Sequence, residues 1–184
     1  MKVSESADLK MQFRTEADAE LKALVIYEDK PAGIRAERML DRVLIRLKLQ
    51  EQCELVLCRL DLLDWLQARR EVARSAVVAD IVLVSMRGDK ELHPAIGAWL
   101  NLWSALQTKK PQVLGLLLEQ SHGQAMDLAL RFYRFALNKG MEIFLSWPDR
   151  GSRSRQDEGV DRTATVMPTL GSLRHERILE AIGT

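Results

Sequence analysis

Residues 21–29 read LKALVIYED, an apolar run that stops at two acidic side chains. Its apolar residues are continuous rather than alternating, and later runs in the chain share this pattern. Continuous Val, Ile and Leu over this length is typical of strands that are covered on both faces of a sheet. The sequence therefore predicts buried strands at Ala23–Tyr27, Glu54–Leu60, Ile81–Ser85, Val113–Leu118 and Glu142–Ser146.

Segments with helical spacing lie between these strands, at Ile34–Leu47, Leu63–Val78, Leu92–Leu106 and Ala125–Asn138. The second has Asp61 or Asp64 as a candidate N-cap, and Lys139-Gly140 is a stop signal after the fourth. Alternating strands and helices predict a parallel sheet with right-handed crossovers and helices on both faces. The predicted fold class is three-layer α/β/α with a five-stranded parallel sheet, for which the flavodoxin-like order 2-1-3-4-5 is favoured.

The chain is predicted to hold one domain with an appendage at each end. Its 184 residues, 47% of them hydrophobic, suit a single core. Residues 1–20 are a mostly polar leader, and residues 21–149 are the α/β domain. Residues 150–184 begin with a charged, Gly- and Ser-containing stretch that predicts a flexible linker. A short helical pattern at Ser172–Ile182 follows the linker.

Composition argues against several classes of function. The formal net charge is +1, from 27 basic and 26 acidic residues, so nothing predicts a nucleic-acid-binding surface. No apolar run approaches the roughly 20 residues that cross a bilayer, and the first residues lack a signal-peptide pattern. Cys53 and Cys58 are an odd number of residues apart on one strand, so their side chains should point to opposite faces. We expect reduced thiols and a cytoplasmic protein.

The predicted strand order brings polar side chains to one crevice at the carboxyl ends of the strands. Its switch point lies between the first strand, which ends in Glu28 and Asp29, and the third, which ends at Ser85. The loop after Ser85 adds Arg87 and Asp89 to the candidate site.

Two further candidates follow the fourth strand, where Glu119 and His122 should reach the same crevice. A phosphate-binding loop is not expected after the first strand, because Glu28 and Asp29 would repel a phosphate and Pro31 lacks an N–H donor. We therefore expect no nucleotide or flavin.

Three explanations fit the acidic pair. Glu28 and Asp29 can bind Mg²⁺ weakly with its waters, since carboxylate oxygens are ligands that this ion prefers. They can act as acid and base in catalysis. They can also mark the point where the strand reaches water, because the dipole of a following helix favours acidic side chains. Apart from weak Mg²⁺, no cofactor is expected.

Other residues with functional potential have simpler structural explanations. His93 precedes Pro94 at the start of the third helix, where a histidine is most often a capping or surface residue. Trp99 and Trp103 lie four residues apart on one helix and fit the core better than an aromatic binding site. The run RFYRF at residues 131–135 would scatter its aromatic side chains over more than one helix face.

Four stretches resemble the receiver domains of response regulators. LVIYEDKPAG is similar to their first strand and acidic pair, and ADIVLVSMRG, residues 79–88, to their third strand and the loop after it. PQVLGLLLE resembles their fourth strand and IFLSWPD their fifth. The resemblance covers roughly residues 20–149 and implies the same fold.

Three functional positions of that family carry other residues here. Ser85 stands where a receiver has its phosphoacceptor aspartate, and Leu117-Leu118 stand where the fourth strand ends in Thr or Ser. Trp147 replaces the lysine before the proline that follows the fifth strand, which adds Trp147 to the crevice candidates. A serine without a neighbouring base is a weak nucleophile, so the resemblance implies a receiver-like domain that is not phosphorylated on aspartate.

The leading functional prediction is a non-enzymatic, degenerate receiver-like module that works in signalling or regulation by protein–protein contact. Its expected partner is another protein or a second copy of the chain, not a nucleic acid or a membrane. The alternative is a small-molecule enzyme of flavodoxin-like architecture with an acidic crevice at the ends of the first and third strands.

Overall fold

A computed structural model describes residues 21–50, 52–89, 91–106, 112–119 and 123–147, and the backbone of residues 12–14 and 164–167. The strands are β1 Gln12–Arg14, β2 Leu21–Tyr27, β3 Cys53–Arg59, β4 Ile81–Met86, β5 Val113–Leu118, β6 Glu142–Ser146 and β7 Ala164–Met167. The α-helices are α1 Lys30–Leu47, α2 Leu66–Val78, α3 Pro94–Ala105 and α4 Gln124–Lys139, and a 3₁₀ helix spans Leu60–Asp64.

The strands form one sheet in the order β1-β3-β2-β4-β5-β6-β7. The inner five are all parallel, and their order is 2-1-3-4-5 when they alone are counted. The predicted α/β fold of flavodoxin-like type is therefore confirmed. The central position of β2 between β3 and β4 is confirmed with it.

The sheet extends beyond the predicted five strands at both edges. β1 pairs with β3 and β7 pairs with β6, each antiparallel to its neighbour. These segments lie in the predicted polar leader and C-terminal appendage, where no strand was predicted. Three or four residues of mixed polarity carry too short a pattern to distinguish a strand from a loop.

The two faces of the sheet are covered unequally by the described helices. A larger core holds buried residues of α2, α3 and α4, among them Trp99, Trp103 and Phe132. A smaller core on the other face holds buried residues of α1. The predicted core positions of Trp99 and Trp103 are confirmed, because neither is more than 1% exposed.

The two cysteines point to opposite faces, as predicted. Cys58 is buried in the larger core, whereas Cys53 is partly buried against the smaller one. Both thiols are free. Burial raises the pKa of Cys58 to about 12, which keeps it in the unreactive thiol form.

Two helix ends are capped as their sequences suggest, and a third is not. α4 ends at Gly140, which takes the left-handed conformation with φ 63°, so the predicted stop signal is confirmed. The prediction of Asp61 or Asp64 as the N-cap of α2 is wrong, because that cap is Trp65. Both acids lie in the 3₁₀ helix that precedes α2, where Asp61 pairs with Arg59. His93 caps α3 through a 3.3 Å bond from the Ala95 N–H to Nδ1.

None of the helices in the described ranges has both the length and the apolar character that a bilayer-spanning segment needs. His122, most of the leader, the predicted linker and the predicted helix at Ser172–Ile182 lie outside the described residues.

Candidate functional site

The predicted crevice forms where β2, β4 and β5 end side by side. Tyr27, the last residue of β2, is level with Ser85 of β4, which is level with Leu117 of β5. The Glu28 N–H donates to the Ser85 carbonyl at 3.0 Å, and the Glu119 N–H donates to the Met86 carbonyl at 3.1 Å. These bonds continue the sheet pairing and bring the loops after the three strands together.

Asp29 is fixed by the start of α1. Its carboxylate accepts the Ala32 N–H at 2.9 Å, which makes it the N-cap of the helix. The same side chain pairs with the Arg87 guanidinium, at 2.7 Å from Nε and 2.6 Å from Nη2. The bond from the Ala32 N–H and the contact with Arg87 both lower the pKa of the Asp29 carboxyl.

Glu28 bonds to the same loop through its side chain. The backbone N–H of Arg87 donates to Glu28 Oε2 at 2.8 Å. Arg87 therefore contacts both members of the acidic pair, one through its backbone and the other through its guanidinium. The positive charge that these carboxylates attract is supplied by the chain itself.

A second arginine, which is not among the residues predicted from the sequence, links α1 to β4 and β5. Arg35 Nη2 donates to the Met86 carbonyl at 3.3 Å, and Nη1 lies 3.4 Å from Glu119 Oε2. The available signal was its position in the second turn of α1, because side chains on a helix tilt toward its N-terminus and a long one can reach the carboxyl edge of the sheet, where α1 begins. The crevice thus holds two arginines among its acids.

Ser85 lies beneath this surface rather than on it. The residue is 0% exposed, and its hydroxyl has no hydrogen-bond partner in the described part of the chain. Alternation along β4 places its side chain on the same face as Leu83, in the smaller core. A phosphoryl donor in solvent therefore cannot reach this hydroxyl.

Of the remaining residues predicted from the sequence, one lies in the cluster and one does not. Asp89 is exposed, and its charge acts on Arg87, so it belongs to the cluster. Trp147 packs half-buried against the larger core, on the opposite face of the sheet from the Ser85 side chain. The structure therefore brings together Glu28, Asp29, Arg87, Asp89 and Glu119, with Ser85 below them, and it does not add Trp147 to that group.

The chemistry of the cluster follows from its partners. Asp29 already accepts bonds from a backbone N–H and a guanidinium, and Glu28 accepts one from a backbone N–H. Among the residues that the structure describes, no three His, Cys, Asp or Glu side chains are grouped so that they could hold a metal ion. The internal bonds give the acidic pair a structural role in joining α1 to the loop after β4.

A cavity of about 190 Å³ lies away from this cluster, between α1 and β3. Leu40, Leu44 and Leu55 supply apolar lining, and Glu37 and Asp41 belong to its polar part. None of the predicted crevice residues lines it.

No protein-family model and no curated protein matches this sequence. The fold is thus established by the strand order, and the receiver resemblance stays a prediction from the sequence.

Proposed function

We propose that this protein is a non-enzymatic, degenerate receiver-like module that acts in signalling or regulation by protein–protein contact. The crevice supports this proposal because its acidic pair, Glu28 and Asp29, bonds to Arg87 and to backbone N–H groups rather than standing open to a substrate. An enzyme would need an available base or nucleophile, yet Ser85 is buried.

The observation that carries the proposal is an apolar stripe on the outer surface of α4. Met126 is 52% exposed, and Leu130 and Leu137 are each 46% exposed. Tyr133 lies between them and is partly exposed. At 100° per residue these four side chains fall within an arc of about 60°, so they form one continuous line along the helix. Aligned exposed apolar residues of this kind mark interaction surfaces.

The stripe lies on the side of α4 that faces away from α3. Phe135 contacts Trp103 of α3, with their ring centroids 5.0 Å apart, and its direction on the helix is opposite to that of the stripe. The buried side of α4, with Leu128 and Phe132, lies between these two directions. The stripe is therefore free to meet another molecule without disturbing the core.

A second copy of the chain is the partner that fits this surface. In an antiparallel pairing of two α4 helices, Met126 of each copy meets Leu137 of the other, and Leu130 meets Tyr133. Asp127 and Arg134 flank the same side of the stripe. The same pairing sets Asp127 of each copy opposite Arg134 of the other, which gives two symmetric ion pairs. An isologous dimer requires this kind of self-complementarity.

Sedimentation velocity on the full chain over the micromolar range tests the proposal. We expect a reversible dimer that Leu130→Glu weakens by at least about tenfold, because the change buries a charge at the centre of the interface. Leu66→Glu is the matched control, since Leu66 is a leucine of similar exposure, 51%, on α2. It should leave the dissociation constant unchanged.

The ion pairs permit a charge-swap experiment. Arg134→Asp should weaken the dimer, and Asp127→Arg combined with Arg134→Asp should restore it, because opposite charges face each other again. A wild-type chain that stays monomeric throughout the range, or a dimer that Leu130→Glu leaves intact, would refute this surface as the contact.

A further inference from the structure

The cavity between α1 and β3 combines apolar walls with two carboxylates. Its wall on the helix consists of side chains three or four residues apart, which share one side of α1: Glu37, Leu40, Asp41, Leu44 and Ile45. Its wall on the strand consists of Cys53 and Leu55, which alternation places on the same face. We call this space the α1–β3 cavity.

The direction of α1 gives the cavity an acidic end and a neutral end. The helix of a crossover between parallel strands runs antiparallel to them, so the first half of α1 lies toward the carboxyl edge of the sheet. Glu37 and Asp41 therefore lie toward that edge, whereas Cys53, the first residue of β3, lies toward the other. The side chains of Leu44 and Leu55 lie between the two ends.

The charge at the acidic end is not neutralised within the described part of the chain. There, neither Glu37 nor Asp41 takes part in a hydrogen bond or an ion pair, in contrast to Glu28 and Asp29 of the crevice. Both side chains are exposed, and no described Lys or Arg lines the cavity. Acidic side chains four residues apart on a helix repel each other, so a positive charge placed between them would be stabilised by both.

The volume and the lining together select a class of ligand. The α1–β3 cavity holds about 190 Å³, and an apolar cavity of about 150 Å³ is large enough to bind benzene. One ring with a short polar substituent therefore fits, whereas a helix of another protein, roughly 10 Å wide, does not. A hydrated divalent cation would gain nothing from the leucine walls, since it prefers oxygen ligands and keeps its waters.

We propose that the α1–β3 cavity binds a small organic ammonium ion with an apolar body. The ammonium group lies at Glu37 and Asp41, and the apolar body packs against Leu40, Leu44 and Leu55. This inference goes beyond the contact surface on α4 and does not depend on it, because α4 lies on the opposite face of the sheet.

Benzylamine, with benzyl alcohol as its neutral counterpart of equal size, tests the proposal in the full chain. Cys53 is the reporter, because its thiol lines the cavity, whereas Cys58 is buried, with a pKa of about 12, and stays unreactive. Intact mass against time follows the reaction of Cys53 with methyl methanethiosulfonate. Benzylamine should slow this reaction to a saturating limit. Its half-maximal concentration should be at least about fivefold lower than that of benzyl alcohol, because two exposed ion pairs add to the apolar contact.

A charge-neutral double variant identifies the residues responsible for this preference. Glu37→Gln combined with Asp41→Asn should raise the half-maximal concentration of benzylamine to that of benzyl alcohol and leave the alcohol unchanged. The matched control is Asp64→Asn combined with Glu71→Gln. It removes the same two charges at exposed positions on the other face of the sheet, and it should keep the preference.

Three outcomes would overturn the inference. They are a wild-type chain that benzylamine does not protect, equal half-maximal concentrations for the amine and the alcohol, and a Glu37/Asp41 double variant that keeps the preference. Leu55→Phe fills the cavity and should abolish protection by both compounds; protection that persists in the folded variant would place the ligand elsewhere. If that variant does not fold, the double variant still decides, since both of its positions are exposed.

Discussion

Gly115 shows how one missing side chain shapes the smaller core. The residue lies in the middle of β5, and the Phe144 ring occupies the space above it. A Cβ built on Gly115 would lie 2.5 Å from Leu83 Cδ2 and closer still to Phe144 Cζ. Glycine in a strand costs stability by itself, and here it is needed because the ring of the neighbouring strand requires the room.

Gly115→Ala should therefore destabilise the protein by about 1–3 kcal/mol in urea unfolding, through overpacking of a closed core. Gly97→Ala is the matched control with the opposite sign. Gly97 lies within α3, nothing lies within 4 Å of an added Cβ, and alanine should stabilise the helix by roughly 0.5–1 kcal/mol. A Gly115→Ala variant as stable as the wild type would show that the Phe144 ring is not held over this position.

At the scale of a single element, the stability of α1 depends on the residue that caps its N-terminus. Asp29 accepts the Ala32 N–H and pairs with Arg87, and both contacts lower the pKa of its carboxyl. A group whose pKa is lower in the folded than in the unfolded state stabilises the fold at pH values above its unfolded pKa. That contribution is lost as the pH falls below about 4, where the unfolded carboxyl begins to bind its proton.

Asp29→Ala should cost about 0.5–2 kcal/mol at pH 7, the usual value of an N-cap. Asp29→Asn keeps an acceptor oxygen but removes the charge, so its deficit relative to the wild type should be smaller and should shrink from pH 5 to pH 3. Urea unfolding at each pH measures this difference. Asp41→Asn, at an exposed position on the same helix, serves as the control; an Asn deficit that stays constant with pH would contradict the role of the charge.

The elements that could be predicted were those whose own residues carry a long pattern. The five apolar runs have the length that favours buried strands over helices, and the boundaries of β5 and β6 were predicted to the residue. The predicted start of α2 was wrong because Asp61, a residue type that often caps helices, instead pairs its carboxylate with Arg59 at the end of β3. This ion pair joins the 3₁₀ helix to the end of β3, and the residue pattern of a single segment does not reveal such a contact. β1 and β7 are defined by their strand partners in the same way.

At the scale of the whole molecule, strand order was enough to bring Glu28, Asp29 and the loop after β4 together. It did not reveal how they interact. Arg87 was predicted as a crevice residue, but its double contact with the acidic pair depends on the path of a loop. Arg35 was missed, and Trp147 was assigned to the crevice from a linear resemblance, although it packs on the other face. Placing side chains required the packing of three loops and a helix, which periodicity alone does not specify.

The arrangement of the crevice leads to a prediction about phosphoryl transfer. Incubation of the full chain with acetyl phosphate and millimolar Mg²⁺ should add no covalent phosphate, as measured by intact mass. The Ser85 hydroxyl is buried, Asp29 is bonded to Arg87, and Mg²⁺ gives up its waters reluctantly for a site with few free ligands.

Ser85→Asp should stay unphosphorylated as well, although it supplies an acceptor carboxylate. Arg87 is still bonded to Asp29, and Arg35 is still bonded to the Met86 carbonyl and Glu119. Trp147 stands at the lysine position of a receiver, so neither arginine nor a lysine is free to stabilise the transferring oxygens. A receiver domain that accepts phosphate in the same mixture is the positive control. Phosphate on the wild-type chain that maps to Ser85 or the acidic pair would refute the degenerate-receiver proposal. Tight Mn²⁺ binding that Glu28→Gln abolishes would instead favour the enzyme alternative, because it would show that the acidic pair exchanges its internal partner for a metal ion.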